Sequence, residues 1–130
     1  METEKNSSKF SHVHTCEICM KLPSLNDYVL ECRRNKYSAS KMKKRIEDDI
    51  GWFIKRLPRF KKPVKIHFHW VEKNARRDLD NVAFAKKFIL DSMVKHGKLI
   101  DDSRRYVKGF TDSFETANEY KVVLFIEEQL

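Results

Sequence analysis

Apolar residues recur along this chain with two different periods, and the change of period marks out its elements. From Ser40 onward, Met42, Ile46, Ile50, Phe53 and Leu57 follow at spacings of 4, 4, 3 and 4. That is one stripe of an amphipathic helix, ended before Pro58, with Lys41, Lys44 and Lys55 on its other face. After a basic turn at residues 58–63 the period shortens to two. Ile66, Phe68 and Trp70 alternate with Lys65, His67 and His69, as in a strand with one buried face. Residues 12–20 suit a first strand and residues 23–28 a loop. Asp80 or Asn81 is placed to cap a second helix running to about residue 96, with Gly97 as its stop. Residues 106–110 and 120–126 complete the set as strands. Strands and helices mix without the regular alternation of a doubly wound fold. The pattern therefore predicts an α+β fold of two layers, a mixed sheet of about four strands packed by two main helices.

Length and charge sharpen this picture. A chain of 130 residues supports one core, so residues 11–130 are expected to form a single domain behind a polar tail at residues 1–10. Net charge is +8, and charged residues make up 35% of the chain against roughly 25% in an average protein. The sign is unevenly spread. From residue 21 to 77 there are 17 Lys and Arg against 6 Asp and Glu, and from 78 to 130 there are 8 against 10. The first stretch reads as a grip for a polyanion and the second as the seat of acidic chemistry. Three cysteines, Cys16, Cys19 and Cys32, form no disulfide framework, and no apolar run approaches the ~20 residues of a membrane span. A cytoplasmic protein is expected, with no membrane partner. Three glycines are too few for a glycine-rich phosphate loop.

The acidic residues gather around Arg76-Arg77-Asp78-Leu79-Asp80-Asn81, followed by Lys87, Asp91 and Asp101-Asp102. Like charges brought together in a basic protein repel unless a cation sits among them. Mg²⁺ takes about six oxygens and keeps several as water, so two or three carboxylates plus a phosphate oxygen suffice. On one continuous helix from Asp80, Lys87 and Asp91 fall within roughly 20° of the Asp80 direction, while Lys86 points about 120° away. Lys87 is thus the lysine expected to face the site and to neutralise charge on a phosphoryl transition state. An EF-hand is excluded, because Ala83 and Ile89 stand where that loop needs Gly and Glu.

These residues resemble those of the RusA-type Holliday junction resolvases, small bacterial and phage endonucleases that cut four-way DNA. The resemblance rests on Arg77-Asp78-Leu79-Asp80-Asn81, Lys87 with Asp91, Asp101-Asp102, and the segment Pro23-Ser24-Leu25-Asn26. It implies that Asp78, Asp80 and Asp102 are catalytic and bind the metal, that Lys87 is the catalytic lysine, and that Asp91 and Asp101 support them. It further implies Mg²⁺ or Mn²⁺ as cofactor with no organic cofactor, a homodimer, and paired nicks in Holliday junctions and related branched DNA. One departure is that residues 82–86 lengthen the interval before the lysine by about one helical turn relative to shorter members. The competing reading is a noncatalytic DNA-binding or recombination accessory protein with a structural acidic cluster.

Arg76, Arg77, Lys41, Lys43, Lys44, Arg59, Lys61 and Lys62 are the expected DNA contacts, with Arg56 and Tyr37 nearby. Four histidines, His12, His14, His67 and His69, are a conceivable Zn²⁺ set, although half-exposed strand positions or a dimer seam account for them more simply. Cys16 and Cys19 lie three apart on a strand and so face opposite sides. Trp52 and Trp70 are both expected in the core.

Overall fold

The computed structural model describes residues 13–129. The predicted tail at residues 1–10 and His12 lie outside them. Four strands, β1 (Val13–Ile18), β2 (Val64–Glu72), β3 (Val107–Thr116) and β4 (Lys121–Glu128), form one mixed sheet in the order β1-β4-β2-β3. The helices are α1 (Leu25–Arg34), α2 (Lys36–Ile54), the short α3 (Leu79–Ala83) and α4 (Lys86–Lys95). β4 runs antiparallel to both β1 and β2, whereas β2 and β3 are parallel. A parallel pair needs a crossover, and α3 with α4 supply it. The two-layer α+β expectation is therefore met.

One face of the sheet is dry. Ile66, Phe68 and Trp70 of β2, Val122, Leu124 and Ile126 of β4, and Ile18 of β1 are buried against Ile46, Ile50 and Ile54 of α2 and Phe88, Ile89 and Met93 of α4. Each such side chain contributes about 1.5–3 kcal/mol by leaving water. His67 and His69 point to the other face, where Ser113 Oγ lies 2.7 Å from His67 Nε2 and 2.6 Å from His69 Nδ1. Glu115 completes that ladder at 2.8 Å from His69 Nε2. His14 has the opposite parity and packs edge-on to Phe60, with ring centroids 5.2 Å apart. His14 therefore cannot join His67 and His69 around a metal ion.

Several boundaries differ from expectation for identifiable reasons. Residues 23–28 are not a loop, because Ser24 begins α1: its Oγ accepts from the Asp27 amide at 3.1 Å, and the Asp27 carboxylate accepts from the Ser24 amide at 3.0 Å. This reciprocal pair satisfies two otherwise orphaned donors. Asn35 separates α1 from α2, its side chain accepting from the Tyr37 amide at 2.8 Å, so α2 starts four residues before Ser40. Trp70 is buried as expected, but Trp52 is 67% exposed. It lies on α2 outside the Met42–Leu57 stripe, and angular position overrides the preference of indole for the interior. Among the described residues no helix is long and apolar enough to cross a membrane.

Cys16 donates to the Phe53 carbonyl at 3.3 Å, and burial pushes its thiol up to about 11, so it stays protonated at neutral pH. All three cysteines are free. At the far end of α4, Gly97 adopts φ +73° while Gly97 and Lys98 amides close back on the Val94 and Met93 carbonyls. The helix stops where glycine was expected to stop it.

α2 and α4 approach closely at Gly51, where an added Cβ would overlap the His96 ring. Ser92 Oγ donates to the Glu47 carbonyl at 2.6 Å in the same seam. Gly51→Ala should destabilise the protein by about 1–3 kcal/mol, because His96 must leave its bond to the Ser92 carbonyl to make room. Urea unfolding checks this, and an unchanged midpoint would show that the seam yields freely.

Candidate active site

The crossover between β2 and β3 begins with a loop that is pinned before it turns into helix. Asn74 Oδ1 accepts from the Arg76 amide at 3.0 Å. Arg77 turns inward: its terminal nitrogen donates to the Leu22 carbonyl at 2.9 Å and its Nε lies 3.4 Å from the Glu72 carboxylate. Burial raises the pKa of Glu72 and the Arg77 charge opposes that rise. An arginine expected to contact DNA thus ties the end of β2 to the segment before α1, and Arg76 beside it remains exposed.

Asp78, with φ −65° and ψ 153°, is the residue that precedes α3, and its carbonyl accepts from the Val82 amide at 3.1 Å. Its carboxylate makes no capping bond. Asp80 follows in the first turn, and both residues are exposed. Among the described residues no hydrogen bond or ion pair engages either carboxylate. Asn81 instead serves a neighbouring helix, accepting from the Asn26 amide in the first turn of α1 at 3.3 Å. Two of the segments that carried the family resemblance, those of Asn26 and Asn81, therefore touch in space.

The expected single helix from Asp80 to residue 96 is broken. At Ala85, Lys87 and Phe88 the amides reach back three residues rather than four, to Val82, Phe84 and Ala85. Val82, Ala85 and Phe88 are all buried and recur every third residue, a spacing that suits three residues per turn. Phe84 and Phe88 both pack on Tyr28, with centroids 5.8 and 5.6 Å away.

Beyond the break the two lysines part company, as the spacing implied. Lys86 reaches the sheet, 2.8 Å from Asp112 and over the rings of Phe68 and Phe110, while Trp70 Nε1 donates to the same carboxylate at 2.8 Å. Lys87 turns the other way, its Nζ 3.0 Å from Asp91 and 3.4 Å from Asp102. Asp91 is shared, because Lys43 of α2 holds its second oxygen at 3.2 Å and also lies 3.6 Å from Glu47. The hydrogen bond that Lys87 donates to Asp91, aided by Asp102, raises the pKa of Lys87, and the bond that Lys43 donates to Asp91 likewise raises that of Lys43. Asp101 accepts from the Asp102 amide at 2.7 Å and fixes the local turn.

The structure thus unites Lys87, Asp91, Asp102 and Lys43, and leaves Asp78 and Asp80 unpartnered on the strand side of the break. Among the described residues no three His, Cys, Asp or Glu side chains gather closely enough to hold a metal ion. The donors themselves have the chemistry Mg²⁺ selects, hard carboxylate oxygens, and Asp78 with Asp80 supplies two that no cation neutralises. Of the expected DNA contacts, Lys41, Lys44, Arg59, Lys61 and Lys62 are exposed, whereas Lys43 is engaged by Asp91. Spacing along the chain gave no sign of Lys43 in this role, since Asp91 belongs to another helix. Glu72 was missed for a similar reason, because only the fold brings Arg77 back onto it.

Compared with protein-family models and with curated proteins, the chain matches none.

Lys86→Ala should cost about 2 kcal/mol of stability, because it leaves the Asp112 carboxylate beside two aromatic rings without its cation. Lys87→Ala should change stability little, its side chain being 57% exposed. Thermal unfolding of the two variants checks the difference. Because the Lys87 pKa is raised in the folded state, the pairing contributes fully below the ordinary 10.5 and fades only as pH climbs through the higher folded value.

Proposed function

We propose that this chain is a metal-dependent endodeoxyribonuclease of the RusA type, cutting Holliday junctions and related branched DNA by paired nicks. The observation that carries this reading is the division of charge around the crossover. Lys87 is held protonated beside Asp91 and Asp102, while the carboxylates of Asp78 and Asp80 have no protein partner among the described residues.

Asp78 and Asp80, with Asp102, are the residues that would hold Mg²⁺ or Mn²⁺. That ion, when bound, supplies a Lewis acid for the phosphoryl oxygen and lowers the pKa of a water. Lys87 acts as a fixed positive charge toward the developing anion and not as a base, because its proton stays on at neutral pH. Asp91 positions Lys87, and Lys43 keeps Asp91 from drawing that lysine wholly to itself. Lys41, Lys44, Arg76, Arg59, Lys61 and Lys62 hold phosphates farther along the strands. Paired cuts across a two-fold symmetric junction need two sites in the same relation, so the acting unit is a homodimer.

The test is a labelled four-way junction offered beside linear duplex, with Mg²⁺ and with a chelator. Symmetric nicks only in the junction and only with metal are expected. Asp80→Asn should bind the junction but cut at least about 100-fold more slowly, since it keeps its shape and loses a charged ligand oxygen. Full cutting by that variant would remove Asp80 from the site. Junction binding without nicks in the parent protein would instead favour the accessory role, which the Lys87–Asp102 pairing suits. Light scattering on the junction should report a dimer, and junction affinity should fall steeply with salt.

A further inference from the structure

Trp52 stands on the outer face of α2, 67% exposed, with Lys55 Nζ 3.5 Å from the centre of its ring. Exposure alone assigns it no role, since single apolar side chains are common on surfaces, and it is the cationic surroundings that set this one apart. The stretch of chain just after it is strongly basic. Arg56, Arg59, Lys61 and Lys62 are all exposed, and among the described residues Asp49 is the one anion within a turn that lacks a partner, because Asp48 is neutralised by Lys95 at 2.9 Å.

This basic segment is held in place. Lys98 Nζ donates to the carbonyls of Lys55 and Leu57 at 2.8 and 2.7 Å, closing the end of α2. The Phe60 amide donates to the Lys98 carbonyl at 2.8 Å, Phe60 bridges to Leu99, and its side chain is buried. Leu99 is three residues from Asp102, a chain distance of at most about 11 Å. The basic segment is therefore tied, through Phe60, to the separate loop that carries the acidic pair.

We infer that Trp52 is a stacking platform for an unpaired base of a DNA strand whose flanking phosphates meet Lys55, Arg56, Arg59, Lys61 and Lys62. This rests on the reading of the chain as a DNA-binding protein and adds to it the kind of DNA at this surface. An aromatic face bordered by cations suits single-stranded nucleic acid, since every base offers a π-face and every linkage a charge. In intact duplex the bases are stacked on each other and only the cations find partners. Where a branch opens into a gap, a flap or an unpaired stretch, bases leave the stack beside the strands to be cut. The platform accordingly favours branched over linear DNA without reading sequence.

The indole is its own reporter, because Trp70 is 3% exposed and shielded. Oligothymidylate should quench the emission of the intact protein, and Trp52→Ala should abolish that quenching. The same variant should bind a fluorescently labelled oligothymidylate between about 5- and 150-fold more weakly by anisotropy, while Trp52→Phe keeps most of the affinity. Replacing Lys61 and Lys62 together by Ala should weaken single-stranded and duplex DNA alike and reduce the salt slope by roughly 2. Unchanged oligonucleotide affinity in Trp52→Ala would overturn the inference. So would a loss of mass on light scattering with affinity intact, which marks the indole as a contact between copies of the chain. Nicking assays separate the two readings: a protein that cuts no junction yet loses affinity on Trp52→Ala keeps its platform and is not the proposed nuclease. A protein that cuts junctions with Trp52→Ala binding unchanged keeps the nuclease reading alone.

Discussion

The parallel pairing of β2 with β3 is the constraint on which the rest of this molecule depends. Two neighbouring strands that run the same way cannot be joined by a hairpin, so the chain must return across the sheet, and here it does so through residues 73–106. That crossover packs Val82, Phe88, Ile89 and Met93 onto the sheet, which makes it part of the core. Its polar side carries Asp78, Asp80, Lys87, Asp91, Asp101 and Asp102. Every acidic residue of the candidate site is thus mounted on one connection whose inner side is fixed by burial. The Arg77 contacts to Glu72 and Leu22 fix where it starts, and Gly97 with Lys98 fixes where its helical part ends.

Much of this architecture was legible because buried faces impose periods. β2, α2 and β4 were readable from alternation or from 3–4 spacing, and Gly97 marked the stop of α4. α1 was obscured: Leu25, Tyr28, Val29 and Cys32 recur at helical spacing, but none of its residues is fully buried and the turn-forming Pro23, Ser24, Asn26 and Asp27 crowd its start. The Ser24–Asp27 capping pair was a further signal. β3 extends to Thr116, well past the expected strand, because as an edge strand it alternates Phe110, Asp112 and Phe114 with Thr111, Ser113 and Glu115, a weakly apolar pattern. Trp52 was misplaced by judging residue type ahead of angular position. Counting from Ile50 at 3.6 residues per turn puts position 52 roughly 200° away, on the outside of the helix.

The site divides in the same manner. Lys86 and Lys87 diverge as local geometry requires, one to Asp112 on the sheet and one to Asp91 and Asp102. Local geometry fails for Asp80 because the helix is interrupted at Ala85, where buried residues every third position tighten the turn. An angular argument holds only along an unbroken ladder of hydrogen bonds. Lys43 and Glu72 were out of reach for a different reason: an ion pair between separate elements leaves no periodic trace in either.

The Lys87–Asp102 contact bears on whether such an arrangement can serve the proposed chemistry, since a carboxylate held by a lysine is not free to bind a cation. Magnitude decides the point. At 3.4 Å, with the lysine more than half exposed, the pair contributes at most about 1 kcal/mol, and solvent replaces much of what is lost when it opens. Lys87 keeps the shorter contact to Asp91, so its charge and direction survive the release of Asp102. Asp91 in turn is not overdrawn by Lys87, because Lys43 already engages its second oxygen. Asp101 accepts from the Asp102 amide and fixes the backbone of that turn, so releasing Asp102 from Lys87 asks only for a change in its side chain. The network therefore restrains the lysine while leaving the carboxylate available.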